Sequence, residues 1–469
     1  MSLSSTSFLW REPKAPHPFS TGVSLHSHTN QSRETLDFLA ELSTDWPFLQ
    51  PVMRLFERRC VRFSGIHPDY ARGYWTPPLN PAAAFTLEAT QITNLNLAAL
   101  VSLSDHDDIR APDLLRSVSF APEIPISTEW TVPFGHTTLT QTSVLPTEVE
   151  DPPSPLVRCH SDPERAKVKK ATTTLSSCPS ERSEDPLYFA FSHRAKRRTQ
   201  TPPLPSTATC FHLGIHNLPP ADATTWTSRF AALTATPAHD LPSSLHRDAV
   251  LTDLLAALHD LPGVLIVFNH PLWDLYRIGE ARHNILVHDF LARFGQFLHA
   301  LELNGLRNWK ENRDVAALAG RWNMLSISGG DRHGIEPNAN INLSRASTFT
   351  GFVHEVRRER SSHVLFMPQY VQPWKHRILQ STLDAVRNHP HLPQGSQRWD
   401  ERVFHPDSTG DIKPLSTLWI SGAPTPFIST VLAAVRLLGA RPVAAPLRFA
   451  WSQNRTEATA KRLALTAEA

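Results

Sequence analysis

The stretch GVSLHSHTNQS, residues 22–32, places His26 and His28 one residue apart directly after a short apolar run. A chain of 469 residues with 24 histidines contains about one His-x-His by chance, so the pair alone decides nothing. On a strand, however, residues i and i+2 point to the same side, which would offer two imidazoles to one cation.

Working outward, the same arrangement returns. LAALVSLS (97–104) ends at Asp105, His106 and Asp107; GVLIVFN (263–269) ends at His270; ALELNG (300–305) carries Glu302; MLSISGG (324–330) ends at Asp331 and His333. Each is an apolar, buried-type strand candidate followed at once by polar groups. Segments with helical apolar spacing lie between them, at 33–43 (Leu36, Leu39, Ala40, Leu42), ahead of 97, and at 244–260, 283–300 and 312–323. Alternating strands and helices predict a parallel α/β architecture with right-handed crossovers. Polar residues gathered at strand ends occupy the place where a (β/α) barrel keeps its active site.

Composition limits the remaining choices. Hydrophobic residues make up 41% and charged residues 19%, a globular balance. Lys plus Arg number 46 against 44 Asp plus Glu, a net +2, so no global field draws the chain to nucleic acid or an anionic membrane. Cys60, Cys159, Cys178 and Cys210 are widely spaced, indicating neither a disulfide framework nor a thiolate zinc knuckle. The first 20 residues lack the apolar core of a signal peptide, and no run approaches a membrane span, so the expectation is a soluble cytoplasmic protein. The segment 145–207, rich in Pro, Ser, Thr, Lys and Arg, reads as a disordered insertion. Its basic stretches at 166–170 and 194–198 read as solvated linker, so a nucleic-acid substrate has no support. Residues 1–20 are expected to be a tail or a leading strand, 21–345 the catalytic domain, and 346–469 an accessory, mainly helical extension.

Imidazoles joined by carboxylates suit Zn, Mn or Fe better than Mg or Ca. The series LHSHT, SDHDD, STEWT, FHLGIHN, VFNHP, ELNG and GGDRHG, over about residues 20–340, resembles the motif series of the PHP (polymerase and histidinol phosphatase) superfamily of metal-dependent phosphoesterases. The resemblance implies a distorted seven-stranded (β/α) barrel of PHP type, two or three divalent metals, and a small phosphomonoester or phosphodiester substrate. The first metal would take His26, His28, Asp331 and a bridging Glu129; the second Glu129, His212 and His270; the third His106, His333 and a residue just after the first motif. There the family usually carries an acid, but this chain has Arg33, so Glu34 is the expected substitute. His136, in PFGHTT, is the alternative to His212, which is preferred because FHLG matches the strand pattern.

In the implied mechanism the metals activate a water for attack at phosphorus, with His270, His333 and Asp331 as catalytic residues, either histidine protonating the leaving alcohol. Arg33 and Arg332 are the expected phosphate contacts. Asp105 and Asp107 would orient His106, while Glu302, Asn304, His216 and Trp273 would line the pocket. Two other readings stand beside this one. An amidohydrolase-like enzyme also begins with His-x-His, but usually carries a bridging lysine, and no lysine here sits at a strand end. A non-catalytic metal-binding scaffold would be expected to have lost histidines first. Oligomeric state is not legible.

Overall fold

The apolar runs do become strands. In this computed structural model the described residues are 5–10, 18–36, 69–70, 72–118, 123–135, 208–235, 244–419, 422–424 and 426–438, with isolated positions between 54 and 62 and at 443. The 145–207 segment, His136 and the helix expected beyond Leu36 lie outside the described residues.

The strands are β1 (Ser5–Trp10), β2 (Thr21–Ser27), β3 (Glu34–Thr35), β4 (Tyr74–Trp75), β5 (Ala98–Leu103), β6 (Ile126–Gly135), β7 (Ala208–Leu218), β8 (Leu265–Asn269), β9 (Ala300–Asn304), β10 (Leu325–Gly329), β11 (Asn340–Ser344), β12 (Ser361–Phe366), β13 (Val403–Pro406) and β14 (Ile412–Pro414). The helices used below are α1 (Pro81–Thr93), α2 (Arg110–Val118), α3 (Ala223–Thr234), α4 (Ser244–His259), α5 (Glu280–Phe294), α6 (Trp309–Arg321), α7 (Phe349–His354) and α8 (Trp374–Val386). Every residue of β2, β8, β9 and β10 is buried, as expected of strands covered on both faces.

The architecture is mixed α/β. One five-stranded sheet has the order β1-β12-β11-β2-β5, a second β10-β9-β8-β7-β6, and a small third sheet β14-β13-β4-β3. Two isolated bridges connect the first sheet to the second: His106 with Glu129, beyond the end of β5, and Ser27 with Arg332, beyond the end of β10. Val23 and Leu25 of β2 share one apolar cluster with Leu265, Val267, Ala300, Leu325 and Ile327 of β8–β10, closed by Phe349 and Phe352 of α7. A larger cluster packs α3–α6 against the second sheet around Trp130, Phe134, Phe211, Phe230, Phe268 and Phe290.

Three local expectations change. β7 runs antiparallel to both β6 and β8, a pairing that needs no crossover helix, so within that sheet the parallel order holds for β8–β10, while β2 and β5 also pair in parallel in the first. Glu34 lies on a strand rather than a helix, because burial alternates over Glu34, Thr35 and Leu36 and the Leu36 N–H bonds the Gly73 carbonyl. Finally, the sheet of β2 includes β1 and β12, so residues 5–10 are the leading strand rather than a free tail, and the line drawn at 345 separates two strands of one sheet. SSHVLF has the β-branched and aromatic content of a strand, although the surrounding text is helical.

Away from the strand ends, buried His299 accepts the Ile266 N–H at Nδ1, 2.8 Å, and stacks on His259. Burial, reinforced by Arg357, lowers its pKa from 6.5 to about 2. Folded, it stays neutral; unfolded, it gains a proton below its ordinary value. Its contribution to stability is therefore complete above pH 6.5 and is lost as pH falls, by up to about 1.4 kcal/mol per pH unit. His299→Asn, which keeps an acceptor near the Nδ1 position, is expected to flatten denaturation free energy against pH between about pH 6 and 4. Equal slopes for variant and wild type would refute this.

Candidate metal centre

The strand ends converge on Glu129, near the start of β6. Its Oε2 lies 2.9 Å from His26 Nε2, 3.3 Å from His28 Nε2 and 3.3 Å from His106 Nδ1. Its Oε1 lies 3.2 Å from His212 Nδ1 and 3.1 Å from His270 Nε2, and accepts from Asn269 Nδ2 at 3.0 Å. His212 reaches this point from the first half of β7 because that strand is antiparallel: it sits opposite Asn269, the last residue of β8.

Glu34 forms a second focus. Its Oε2 lies 3.3 Å from His106 Nε2 and 3.2 Å from His333 Nε2, and its Oε1 accepts from Ser32 Oγ at 2.6 Å. Asp331 Oδ1 lies 3.8, 3.6 and 3.4 Å from His26, His28 and His333. The ring of His28 is stacked between those of His333 and His106, at 4.3 and 4.8 Å. Three groups have ligand atoms close enough to hold a cation: His26, His28 and Glu129; His106, Glu129 and His212; and His28, Glu34, His106 and His333. These groups contain seven of the nine expected ligands, with His106 and His28 shared more widely than the sequence implied; His270 and Asp331 stand beside them through Glu129 and the facing imidazoles.

Backbone strain places several of them. His26, His270 and Asp331 adopt positive φ, 59°, 29° and 54°, a left-handed conformation that side chains with a Cβ rarely take and that concentrates at functional sites. The β2–β5 register shifts between Ser24 and Ser27, and His28 lies beyond the strand. Strand alternation therefore does not bring the two histidines together; a bulge does, since it re-aims side chains.

Three buried atoms, His26 Nε2, His28 Nε2 and Glu129 Oε2, have no hydrogen-bond partner although they face one another. Unsatisfied buried polar atoms are costly unless something else satisfies them. Together with a mixed imidazole and carboxylate donor set, this fits a transition-metal cation. The charges agree. Burial pushes the Glu129 carboxyl up, but His26, His106 and His212 outweigh it and hold it well below the usual carboxylate range. Burial likewise opposes ionisation of Glu34 and Asp331, and the facing imidazoles, His333 foremost, hold both well down.

The remaining expected residues divide. Glu302 holds His26 from behind, Oε2 to Nδ1 at 2.7 Å, and itself accepts from Asn304 Nδ2, which also bonds Asp331. A carboxylate on the far nitrogen of a ligand histidine fixes its orientation and raises its basicity. Glu302→Leu is accordingly expected to weaken divalent-metal binding about 10–100-fold, read by calorimetric titration; unchanged affinity would remove Glu302 from the centre. Glycine at 329 is required here, because a Cβ would lie 2.3 Å from Glu302 Cδ. Asp105 and Asp107 do not orient the His106 ring: the Asp105 carboxylate takes the Thr29 N–H and hydroxyl, and Asp107 takes the Thr131 N–H. Their effect is to fix the main chain on either side of His106.

His216 lies outside the three groups, bonded to Ser102 Oγ at 2.8 Å, its pKa lowered by burial to about 3. Arg332 cannot be the phosphate contact. It is 3% exposed, paired to Glu88 at 3.0 Å, and donates to the carbonyls of His28 and Gly334. Arg33 is exposed, over the Tyr74 ring. Sequence reasoning missed Arg307, whose guanidinium lies 4.1 Å over Trp273, itself packed on His270. It also missed Glu88, for which a lone acid on a helix gave no signal.

No family model matches the chain, and no curated protein matches it. Among solved structures it is similar to a Bifidobacterium adolescentis protein whose name assigns it provisionally to the metal-dependent phosphoesterases, at 14% identity over 74% of this chain and 98% of that one, with a TM-score of 0.29. At that score the likeness settles neither fold nor activity. Among the described residues, no helix is long and apolar enough to cross a membrane.

Proposed function

We propose that this chain is a metal-dependent phosphoesterase of PHP type, hydrolysing a small phosphomonoester or phosphodiester at a di- or trinuclear centre. The observation that carries the reading is Glu129: a fully buried carboxylate with two imidazoles or more on each oxygen, next to ligand atoms that lack hydrogen bonds. A distorted seven-stranded barrel is part of the proposal. The strands would follow the ring β2-β5-β6-β7-β8-β9-β10, and the bridges His106 to Glu129 and Ser27 to Arg332 support its two seams.

Divalent cations held there would supply a nucleophilic water at neutral pH and neutralise phosphoryl charge. The protein's own part is positioning. His26, His28, Glu129, His212, His270 and Asp331 are buried, while His106 and His333, each 16% exposed, are with Glu34 the more accessible members. His333 Nδ1 is engaged by the Asp331 carbonyl at 2.9 Å, which leaves Nε2, beside Glu34, to hold a third cation or, in a dinuclear centre, to pass a proton to the leaving alcohol. With Arg332 committed elsewhere, Arg33, over Tyr74, and Arg307, over Trp273, are the candidate guanidinium forks for phosphoryl oxygens. Localisation in the cytoplasm belongs to the same proposal.

The test is metal analysis of protein loaded with Mn, Zn or Fe(II), with turnover of p-nitrophenyl phosphate and its bis-ester, using His26→Ala and Asp331→Ala as controls. Two or three ions per chain and turnover abolished by both substitutions are expected. Fewer than one ion, or activity surviving both changes, would sink the reading.

A further inference from the structure

Glu34 reaches the cluster from a strand of two residues, and an isolated two-stranded ribbon of that length is not stable in water. β3 lies against β4, Glu34 opposite Trp75 and Thr35 opposite Tyr74. The other edge of β4 is covered by β13, from the far end of the chain: Val403 lies opposite Trp75 and Phe404 opposite Tyr74. The Thr76 N–H donates to the Arg402 carbonyl at 2.8 Å, and the Tyr74 and Phe404 rings stack at 4.8 Å and 13°. β13 is itself anchored, because the Arg402 guanidinium, 1% exposed, donates to the carbonyls of Ser396, Arg398, Ala385 and Arg387. Trp75 completes the connection, its ring 5.9 Å from that of His333.

We infer that the C-terminal segment 384–406 positions Glu34 through β4, so that β13 governs whether a divalent cation is held between Glu34, His106 and His333. The inference rests on the metal-centre reading proposed above. The residues around Glu129 come from the two large sheets and the loops beyond their strands, and do not depend on β13. Disturbing β13 therefore separates the two parts of the centre. Phe404 is a positioning residue, acting through Tyr74 and the β4 backbone.

The test uses the full chain stripped of metal and titrated with Mn2+, stoichiometry and affinity being read by calorimetry and mass spectrometry. Wild type is expected to bind three ions. Phe404→Ala and Glu34→Gln are each expected to lose one equivalent, or to weaken it at least tenfold, with the others unchanged, whereas Phe404→Tyr keeps all three. If Phe404→Ala fails to fold by circular dichroism, Tyr74→Leu removes the same stack from β4 and is read in the same way. A folded Phe404→Ala with wild-type stoichiometry and affinities overturns this inference alone, as does Glu34→Gln without loss. Wild-type protein holding two ions also overturns it alone, and wild type holding none overturns the phosphoesterase reading with it.

Discussion

Glu129→Gln is expected to lower the proposed phosphoesterase turnover at least about 10³-fold, equivalent to about 4 kcal/mol of barrier, and to reduce bound metal to less than half of the wild-type content. The substitution keeps shape and volume, so packing against Asn269 and the strand pairing of β6 are preserved. What it removes is the charge that both halves of the centre share, since five imidazoles face the two Glu129 oxygens within 3.3 Å. An amide also turns an NH2 toward one set of rings, a donor where only acceptors of a cation are useful. Element analysis and p-nitrophenyl phosphate turnover on the same preparation check the result. Wild-type metal content together with wild-type turnover would show that Glu129 is not the bridging group.

The largest expected loss of stability falls on Glu88→Leu. Glu88, fully buried in α1, pairs with Arg332 Nε at 3.0 Å and accepts from Ser24 Oγ, Ser27 Oγ and the Asn338 N–H. Burial raises its pKa, and Arg332 with these donors pulls it part of the way back. Removing one partner of a buried pair leaves an uncompensated charge, at a cost of about 3–5 kcal/mol. The consequence extends to the site, because the Arg332 guanidinium also holds the carbonyls of His28 and Gly334. Urea denaturation of the metal-free protein measures the stability; a change under about 1 kcal/mol would place the pair among those that contribute little. Glu88→Leu combined with Arg332→Leu is expected to recover part of the loss, since an apolar pair has no stranded charge. Metal affinity should stay low in that double variant.

Legibility followed the kind of signal each residue carries. His26, His28, His106, His270, Asp331 and His333 stand directly at the ends of apolar runs, and a run that long and apolar is a buried strand whichever neighbours it has. Glu302 was legible as a strand-end acid, but not its role, which depends on His26 arriving 2.7 Å away. Arg332 was misread because its position between two ligands says nothing of the direction its side chain takes. Asn338, Asn340 and Asn342 were passed over, yet these buried amides join strands where backbone pairing is interrupted. Asn342 bonds Ser328 through both its N–H and carbonyl, Asn340 bonds the Leu303 carbonyl, and Asn338 bonds Ser24, Leu25 and Ser27. Their signal was present as asparagine at period two in NANINLS, where burial on both faces leaves amides no partner but the neighbouring strands.

By itself the sequence determined that strands alternate with helices and that histidines and carboxylates collect where those strands stop, because hydrophobic runs and the residues ending them are local properties. Only the tertiary structure decided how these groups meet. The antiparallel direction of β7 brings His212 beside His270, the bulge at His26 turns its ring toward Glu129, and the pairing of β3 with β4 accompanies the approach of Glu34 to His106 and His333. Each depends on contacts between segments far apart in the chain, and the energy of such contacts is not carried by either segment alone.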